Sequence, residues 1–259
     1  MSSGKVVLIT GANTGLGLEI VKALYKTDRA YQIIIGCRTV SKGEAAMESV
    51  QKEIPKSPSA LSVIQVDLSS DESINNALKN IESKFGRLDV LINNGGGNFD
   101  GEIQSGKLSV REAWNISWDT NVAGTQVLTT GAVPLLLKSS DPRLMFITSG
   151  TSSILETENT KNPPMSRINA SPDAGWPKPK QLNPIEAYRS SKAGLNMMMR
   201  QWHRILLNDG VKVWGISPGF LATGLAGIGR EQLLKVCMAR FCKFLCSLPT
   251  KLDGCYRAF

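Results

Sequence analysis

Tyr188-Arg189-Ser190-Ser191-Lys192 sets a phenol and an ammonium four residues apart at the start of an apolar segment. On a helix, side chains at this spacing share a face. An ammonium beside a phenol favours the phenolate, so the spacing predicts a tyrosine pKa drawn down from about 10 toward neutrality. A phenol so placed can give or take a proton at pH 7. The same spacing also occurs on solvated helix faces with no chemistry attached, so the remaining residues must decide between the two readings.

A second group could hold an anion. Thr10-Gly11-Ala12-Asn13-Thr14-Gly15-Leu16-Gly17 lies between an apolar run and a helical segment. Its glycines permit a tight turn and close backbone approach, so a pyrophosphate can rest on the first amides of the following helix. The order is a wider-spaced variant of Gly-x-Gly-x-x-Gly. A glycine loop can be only a turn, but its place between the first strand and the first helix favours cofactor binding. Farther on, Gly36-Cys37-Arg38-Thr39 ends the second strand, where NAD-binding folds place an acid for the ribose hydroxyls. No carboxylate stands there. Arg38 suits the additional phosphate of NADP, with Thr39 and Lys42 as further contacts, while a surface arginine closing a strand is its plainer role. Asp67, with Leu68 beside it, ends the third strand, where a carboxylate can accept from an adenine amino group or cap the next turn.

The elements that must position these groups follow from the hydrophobic pattern. Residues 5–10, 31–36, 61–66, 88–93, 143–148 and 211–217 read as apolar, β-branched strands. Residues 16–26, 40–54, 71–85, 118–138 and 188–208 read as amphipathic helices between them. Near-continuous apolar strands alternating with helices predict an α/β fold of Rossmann type, a doubly wound parallel sheet in three layers α/β/α. The chain of 259 residues, 42% apolar, suits a single dinucleotide-binding catalytic domain over 1–259.

Composition narrows the partners. No run approaches the 18 or so apolar residues of a membrane span, and the start lacks a secretory-signal pattern, which predicts a cytoplasmic protein with no integral membrane segment. Five cysteines without paired zinc spacing and a single histidine, His203, imply neither a disulfide framework nor a metal. The net charge of +8 comes from scattered basic residues, which fits attraction for a polyanionic small molecule better than a nucleic acid.

Thr-Gly-x-x-x-Gly-x-Gly, then Asn93-Asn94-Gly95-Gly96, then Tyr-x-x-x-Lys, in this order, resembles the short-chain dehydrogenase/reductase family over roughly residues 4–235. Gly95 stands where the family has alanine. The resemblance implies that Asn94 and Gly95 brace the sheet and line the adenine ribose. It implies that Lys192 holds the nicotinamide ribose beside Tyr188, and that Asn121 holds a water linking the lysine to solvent, although Asn121 could instead cap or kink its helix. Ser149 falls on the catalytic serine when the apolar residues of the fifth strand are aligned, with Thr148, Thr151, Ser152 and Ser153 beside it. Ser217-Pro218-Gly219-Phe220-Leu221-Ala222-Thr223 matches the family's Pro-Gly turn, which implies that Pro218, Gly219, Leu221 and Thr223 hold the nicotinamide amide and phosphates.

The activity so implied is NADPH-dependent reduction of a ketone or aldehyde to an alcohol with Tyr188 as proton donor. Oxidation of an alcohol with NADP, or a catalytically impaired dinucleotide-binding protein, are the alternatives. Two regions depart from the family. Ser149 and Tyr188 lie 39 residues apart, and the excess forms a polar, proline-interrupted insertion at about 151–186. Carbonyl reductases of the family carry a similar insertion, which implies a substrate-side lid and a monomer or weak homo-oligomer. The tail at about 225–259 is basic, helix-compatible over 230–248 and shows no evident seventh strand. A lid helix, a membrane-surface helix or a compromised end are its three readings.

Overall fold

The computed structural model describes residues 4–161, 163–180, 184–219 and 257–258. The described chain forms one parallel sheet in the order β3-β2-β1-β4-β5-β6-β7. Its strands are β1 Lys5–Thr10, β2 Tyr31–Cys37, β3 Ala60–Gln65, β4 Val90–Asn93, β5 Arg143–Ile147, β6 Lys212–Ser217 and β7 Arg257–Ala258. The order reverses between β1 and β4, which opens a crevice at their carboxyl ends, the usual ligand position in such sheets.

Alternation along the strands divides the core in two. Val6, Leu8, Leu91, Leu144, Phe146 and Val213 pack toward α3 Asp71–Phe85, α6 Gly124–Leu136 and α8 Glu186–Leu206. Val7, Ile9, Ile33, Ile35, Ile92, Met145 and Ile216 pack toward α1 Gly15–Tyr25 and α2 Val40–Glu53. Both faces are covered, which is why the strands read as continuous apolar runs. Close approach on one face depends on Gly124, where a Cβ would stand 1.8 Å from the Leu68 carbonyl oxygen.

Three features correct the sequence expectation. The helix expected over 118–138 begins earlier, as α5 Val110–Trp118 behind a short α4 Asp100–Gln104. Ser109 and Glu112 form a capping box that starts it. Residues Asp119–Ala123 then make a π-helical turn before α6. Within the insertion, two 3₁₀ turns, Gly150–Ser152 and Leu155–Glu158, precede a seven-residue helix, α7 Pro163–Asn169. Finally, Arg257–Ala258 pairs with β6, a two-residue strand too short to leave a periodic signature.

The opposite end of the sheet is held by charge. Asp141, in the turn before β5, accepts from Lys212 at 2.5 Å, from Arg143 at 2.8 Å and from Lys5. Partial burial pushes its carboxyl up, but the hydrogen bonds from Lys212, Lys5 and Arg143 overcome this and hold it well below the ordinary carboxylate range. Such a group contributes stability above the unfolded aspartate pKa of about 4 and loses it as pH falls toward the folded value. Asp141→Asn is therefore expected to cost about 1–3 kcal/mol at neutral pH. Urea titrations should show the gap from wild type closing on acidification below about pH 4; a gap indifferent to pH would place the stabilisation elsewhere.

Candidate active site

The first turns of α8 gather the reactive side chains. Tyr188 and Lys192 share one face of the helix, with the ammonium 5.8 Å from the phenol ring centroid. Lys192 is buried and donates to the Ile147 carbonyl at the end of β5, at 2.9 Å. One of its three donors is thus engaged, and two can serve a ribose. Desolvation lowers the lysine pKa to about 8. Desolvation also raises the Tyr188 phenol, against a hydrogen bond with the Ser149 side chain that lowers it. This corrects the expected downward shift. Taking the phenolate out of water outweighs the hydrogen bond from Ser149.

Ser149 sits on a turn secured from several sides. Gly150 N–H donates to Ser217 Oγ at 2.7 Å, and Ser152 Oγ donates to the Ser149 carbonyl at 2.6 Å. Asn196, on α8, donates to Ser152 Oγ at 2.9 Å. The Ser149 and Thr151 hydroxyls are 2.7 Å apart. Of the five hydroxyl residues at 148–153, Ser149 is the one whose side chain acts on the Tyr188 phenol.

Asn121 stands fully buried in the π-helical turn. Its Oδ1 accepts from Gly97 N–H, and its Nδ2 donates to the Gly97 carbonyl and to Ser191 Oγ, each at 2.9 Å. Ser191 in turn donates to the Tyr188 carbonyl at 2.9 Å. The side chain thus staples the loop after β4 to α8.

Asp100 is a residue that sequence reasoning missed. Buried on α4, it accepts from Ala187 N–H at 2.8 Å and from Tyr188 N–H at 2.9 Å, one bond to each carboxylate oxygen. It caps α8 from 87 residues away, since Ile185 at the N-cap position makes no side-chain cap bond. Asn98 adds a bond to the Pro184 carbonyl at 3.2 Å. A Ser, Thr or Asp just before the helix would have been the local signal, and none is there.

The glycine loop lies beside this group. Asn94 Nδ2 donates to the carbonyls of Thr10 and Gly11, at 2.8 and 3.2 Å, and the amides of Asn94 and Gly95 donate to Thr10 Oγ1. Gly11 adopts φ +62°, and a Cβ on it would come within 2.9 Å of Gly95 Cα. A Cβ on Gly95 would itself meet Leu68 at 2.9 Å and Thr10 Oγ1 at 3.1 Å, which accounts for glycine where the family has alanine. Helix α1 starts at Gly15, with Leu16 and Gly17 in its first turn, behind an exposed Thr14 that makes no side-chain cap bond. No acidic residue stands in that turn. By contrast, α3 and α5 carry both a side-chain cap and first-turn acids. The first amides of α1, with Asn13 on the loop before them, therefore suit a diphosphate.

Arg38, Thr39 and Lys42 are exposed at the end of β2 and the start of α2, which also lacks a side-chain cap and a first-turn acid. Asp67 lies within electrostatic reach of Arg38; its partial burial is outweighed by bonds from Ser69 and by that arginine, which leave its pKa lowered. Pro218 and Gly219 follow β6, and Gly219 has φ +77°. Leu221, Thr223 and all of 225–259 except Arg257–Ala258 lie outside the described residues.

Comparison with known proteins decides the family. The short chain dehydrogenase family model matches residues 5–159. The chain belongs to the short-chain dehydrogenase/reductase family. It is 47% identical over 225 residues to the short-chain dehydrogenase/reductase tropE of Talaromyces stipitatus, covering 87% of this chain and 81% of that protein. It is 51% identical over 223 residues to the short-chain dehydrogenase/reductase eupG of a Phoma species, covering 85% and 78%. Among solved structures, an NADPH-bound carbonyl reductase from chicken fatty liver superposes with a TM-score of 0.69 at 20% identity, over 88% of this chain and 81% of that one. A metagenomic short-chain oxidoreductase in complex with NADP gives a TM-score of 0.66 at 22% identity, over 98% and 95%. Among the described residues, no helix is long and apolar enough to cross a membrane.

The cap supplied by Asp100 generates a prediction. Asp100→Ala leaves two buried amides without an acceptor and is expected to destabilise the fold by about 2–4 kcal/mol. Asp100→Asn, which keeps one acceptor, should fall between. Denaturant titration of the three proteins checks the order, and equal stability of Ala and Asn variants would argue against the cap.

Proposed function

We propose that this short-chain dehydrogenase/reductase reduces a ketone or aldehyde to an alcohol with NADPH. The single observation that carries the reading is the convergence of three side chains at the end of β5: Tyr188 and Lys192 on one face of α8, the lysine bonded to the Ile147 carbonyl, and the Ser149 hydroxyl beside the phenol. A phenol so placed can donate a proton to a developing alkoxide.

Bound NADPH supplies the hydride to the carbonyl carbon. Gly11, Asn13, Thr14, Gly15, Leu16 and Gly17 would cradle the diphosphate, and Arg38, Thr39 and Lys42, exposed at the end of β2 and the start of α2, would take the 2′-phosphate. Asp67, Leu68, Asn94 and Gly95 would line the adenosine end, and Pro218 and Gly219 the nicotinamide end. The NADPH- and NADP-bound descriptions of the structural neighbours support the same choice.

Ser149 donates to the substrate carbonyl oxygen and aligns it with Tyr188. As negative charge develops on that oxygen, the Tyr188 proton passes to it, and the phenolate left behind is stabilised by the Lys192 ammonium. Lys192 then returns a proton to the phenolate, and a water held by Asn121 resupplies the lysine. Reduction is the direction that a supply of NADPH drives, and the same phenol would serve as base in the reverse reaction.

Tyr188→Phe is expected to abolish NADPH consumption over a panel of ketones and quinones while leaving NADPH binding within about twofold of wild type. Undiminished turnover would reject the assignment. Arg38→Glu should weaken NADPH at least about tenfold and NADH little, by fluorescence titration. The sign of the pH dependence follows from Lys192: its charge is present below about 8 and lost above. The reductive kcat/KM should hold through neutral pH and decline on the alkaline side, and a rise there would contradict the assigned proton donor.

A further inference from the structure

Arg189, which no step above uses, carries three hydrogen bonds away from the catalytic helix. Its Nε donates to the Thr151 carbonyl at 2.7 Å, its Nη1 to the Ile168 carbonyl at 3.2 Å and its Nη2 to Asn169 Oδ1 at 2.9 Å. The last two acceptors belong to α7, the seven-residue helix of the insertion. A helix of two turns is not stable by itself and takes its position from tertiary contacts. Asn169 extends the connection, since its amide donates to the carbonyls of Glu156 at 2.7 Å and Asn159 at 3.0 Å. One guanidinium therefore holds α7 and, through Asn169, the 3₁₀ turn Leu155–Glu158 that precedes it.

The third acceptor points the other way. Thr151, whose carbonyl takes the Nε bond, has its hydroxyl 2.7 Å from the Ser149 hydroxyl. Ser149 in turn is the partner of Tyr188, the residue next to Arg189. A fork with several fixed donors can satisfy three acceptors in different segments at once, which a lysine ammonium on a flexible stem does not reproduce.

We propose that Arg189 is a positioning residue that couples docking of the 155–169 segment to the aim of the Ser149 hydroxyl, acting through Thr151. The proposal rests on the reductase reading, because the consequence of a misaimed serine is lost carbonyl reduction. With the segment docked, Arg189 holds the Thr151 carbonyl, Thr151 holds Ser149, and the serine faces the substrate oxygen. With the fork removed, the segment loosens and the serine turn loses its outer support. Among the described residues, none of these hydrogen bonds reaches the glycine loop or Arg38.

The test compares wild type with Arg189→Met, Arg189→Lys, Thr151→Val and the double variant Arg189→Met with Thr151→Val, each as the full chain. Both arginine variants should lose at least about tenfold in kcat toward a ketone, the scale expected when a supporting shell lets a reacting group shift by less than 1 Å. NADPH affinity should stay within about twofold, and limited proteolysis should cleave within 155–180 faster than in wild type. The decisive reading is non-additivity: once Thr151→Val has cut the link to Ser149, Arg189→Met should cost no more than about a further twofold in kcat. Losses that multiply, or Arg189→Met with wild-type kcat and wild-type proteolysis, would overturn the proposal. If wild type consumes no NADPH with any carbonyl, the reductase reading falls on its own account. The docking role is then judged by proteolysis alone, upheld by faster cleavage in Arg189→Met and refuted by an unchanged rate.

Discussion

The carboxylate of Asp100 meets the amides of Ala187 and Tyr188 in the first turn of the catalytic helix, and the site is built outward from that contact. A helix begins with amides that have no partner of their own, and inside a protein each must find an acceptor. Here the residues just before α8 offer none, so the acceptor comes from α4 across the cleft. The phase of α8 is thereby tied to the loop after β4, and with it the direction of Tyr188. Asn121 and Ser191 repeat the tie one turn later, and Lys192 fastens the same helix to the end of β5. Four segments distant in sequence thus converge on two turns of one helix.

Electrostatics inside this convergence run against the simplest reading of a tyrosine beside a lysine. Proximity favours phenolate with ammonium, and removal from water disfavours both. Burial wins for each partner: the lysine falls to about 8 and the phenol rises. The pair is therefore a neutral acid beside an ammonium that keeps its charge through neutrality and gives it up above about 8. That state is poised to release a proton when negative charge develops nearby, and poorly prepared to take one at rest.

Much of the fold was legible because its causes are local. Apolar strands buried on both faces and helices of ordinary length place all six of the predicted strands within two residues of their observed ends. The glycine loop was legible for the same reason, since its position between β1 and α1 is a matter of sequence order. What escaped was set by partners far along the chain. Asp100 reads as an ordinary acid on a short helix until α8 is laid against it. The π-helical turn at Asn121 leaves no mark in an apolar pattern, and α7 is too short and too polar to show a stripe. The direction of the Tyr188 shift was missed because spacing conveys neighbours but not depth.

The π-helical turn at Asp119–Ala123 carries one consequence for how this chain can vary. Such a turn holds one residue more than the α-helical path needs, and an α-helix advances about 100° per residue. Deleting that extra residue would let the run become ordinary helix while the residues beyond it keep their faces, so Leu128, Leu135 and Leu136 would stay in the core they fill and Gly124 against the Leu68 carbonyl. Deleting a residue from α6 itself would instead turn everything beyond it by about 100°. A local irregularity of five residues can therefore lose one residue without resetting the rotation of α6, at the expense of the turn that holds Asn121.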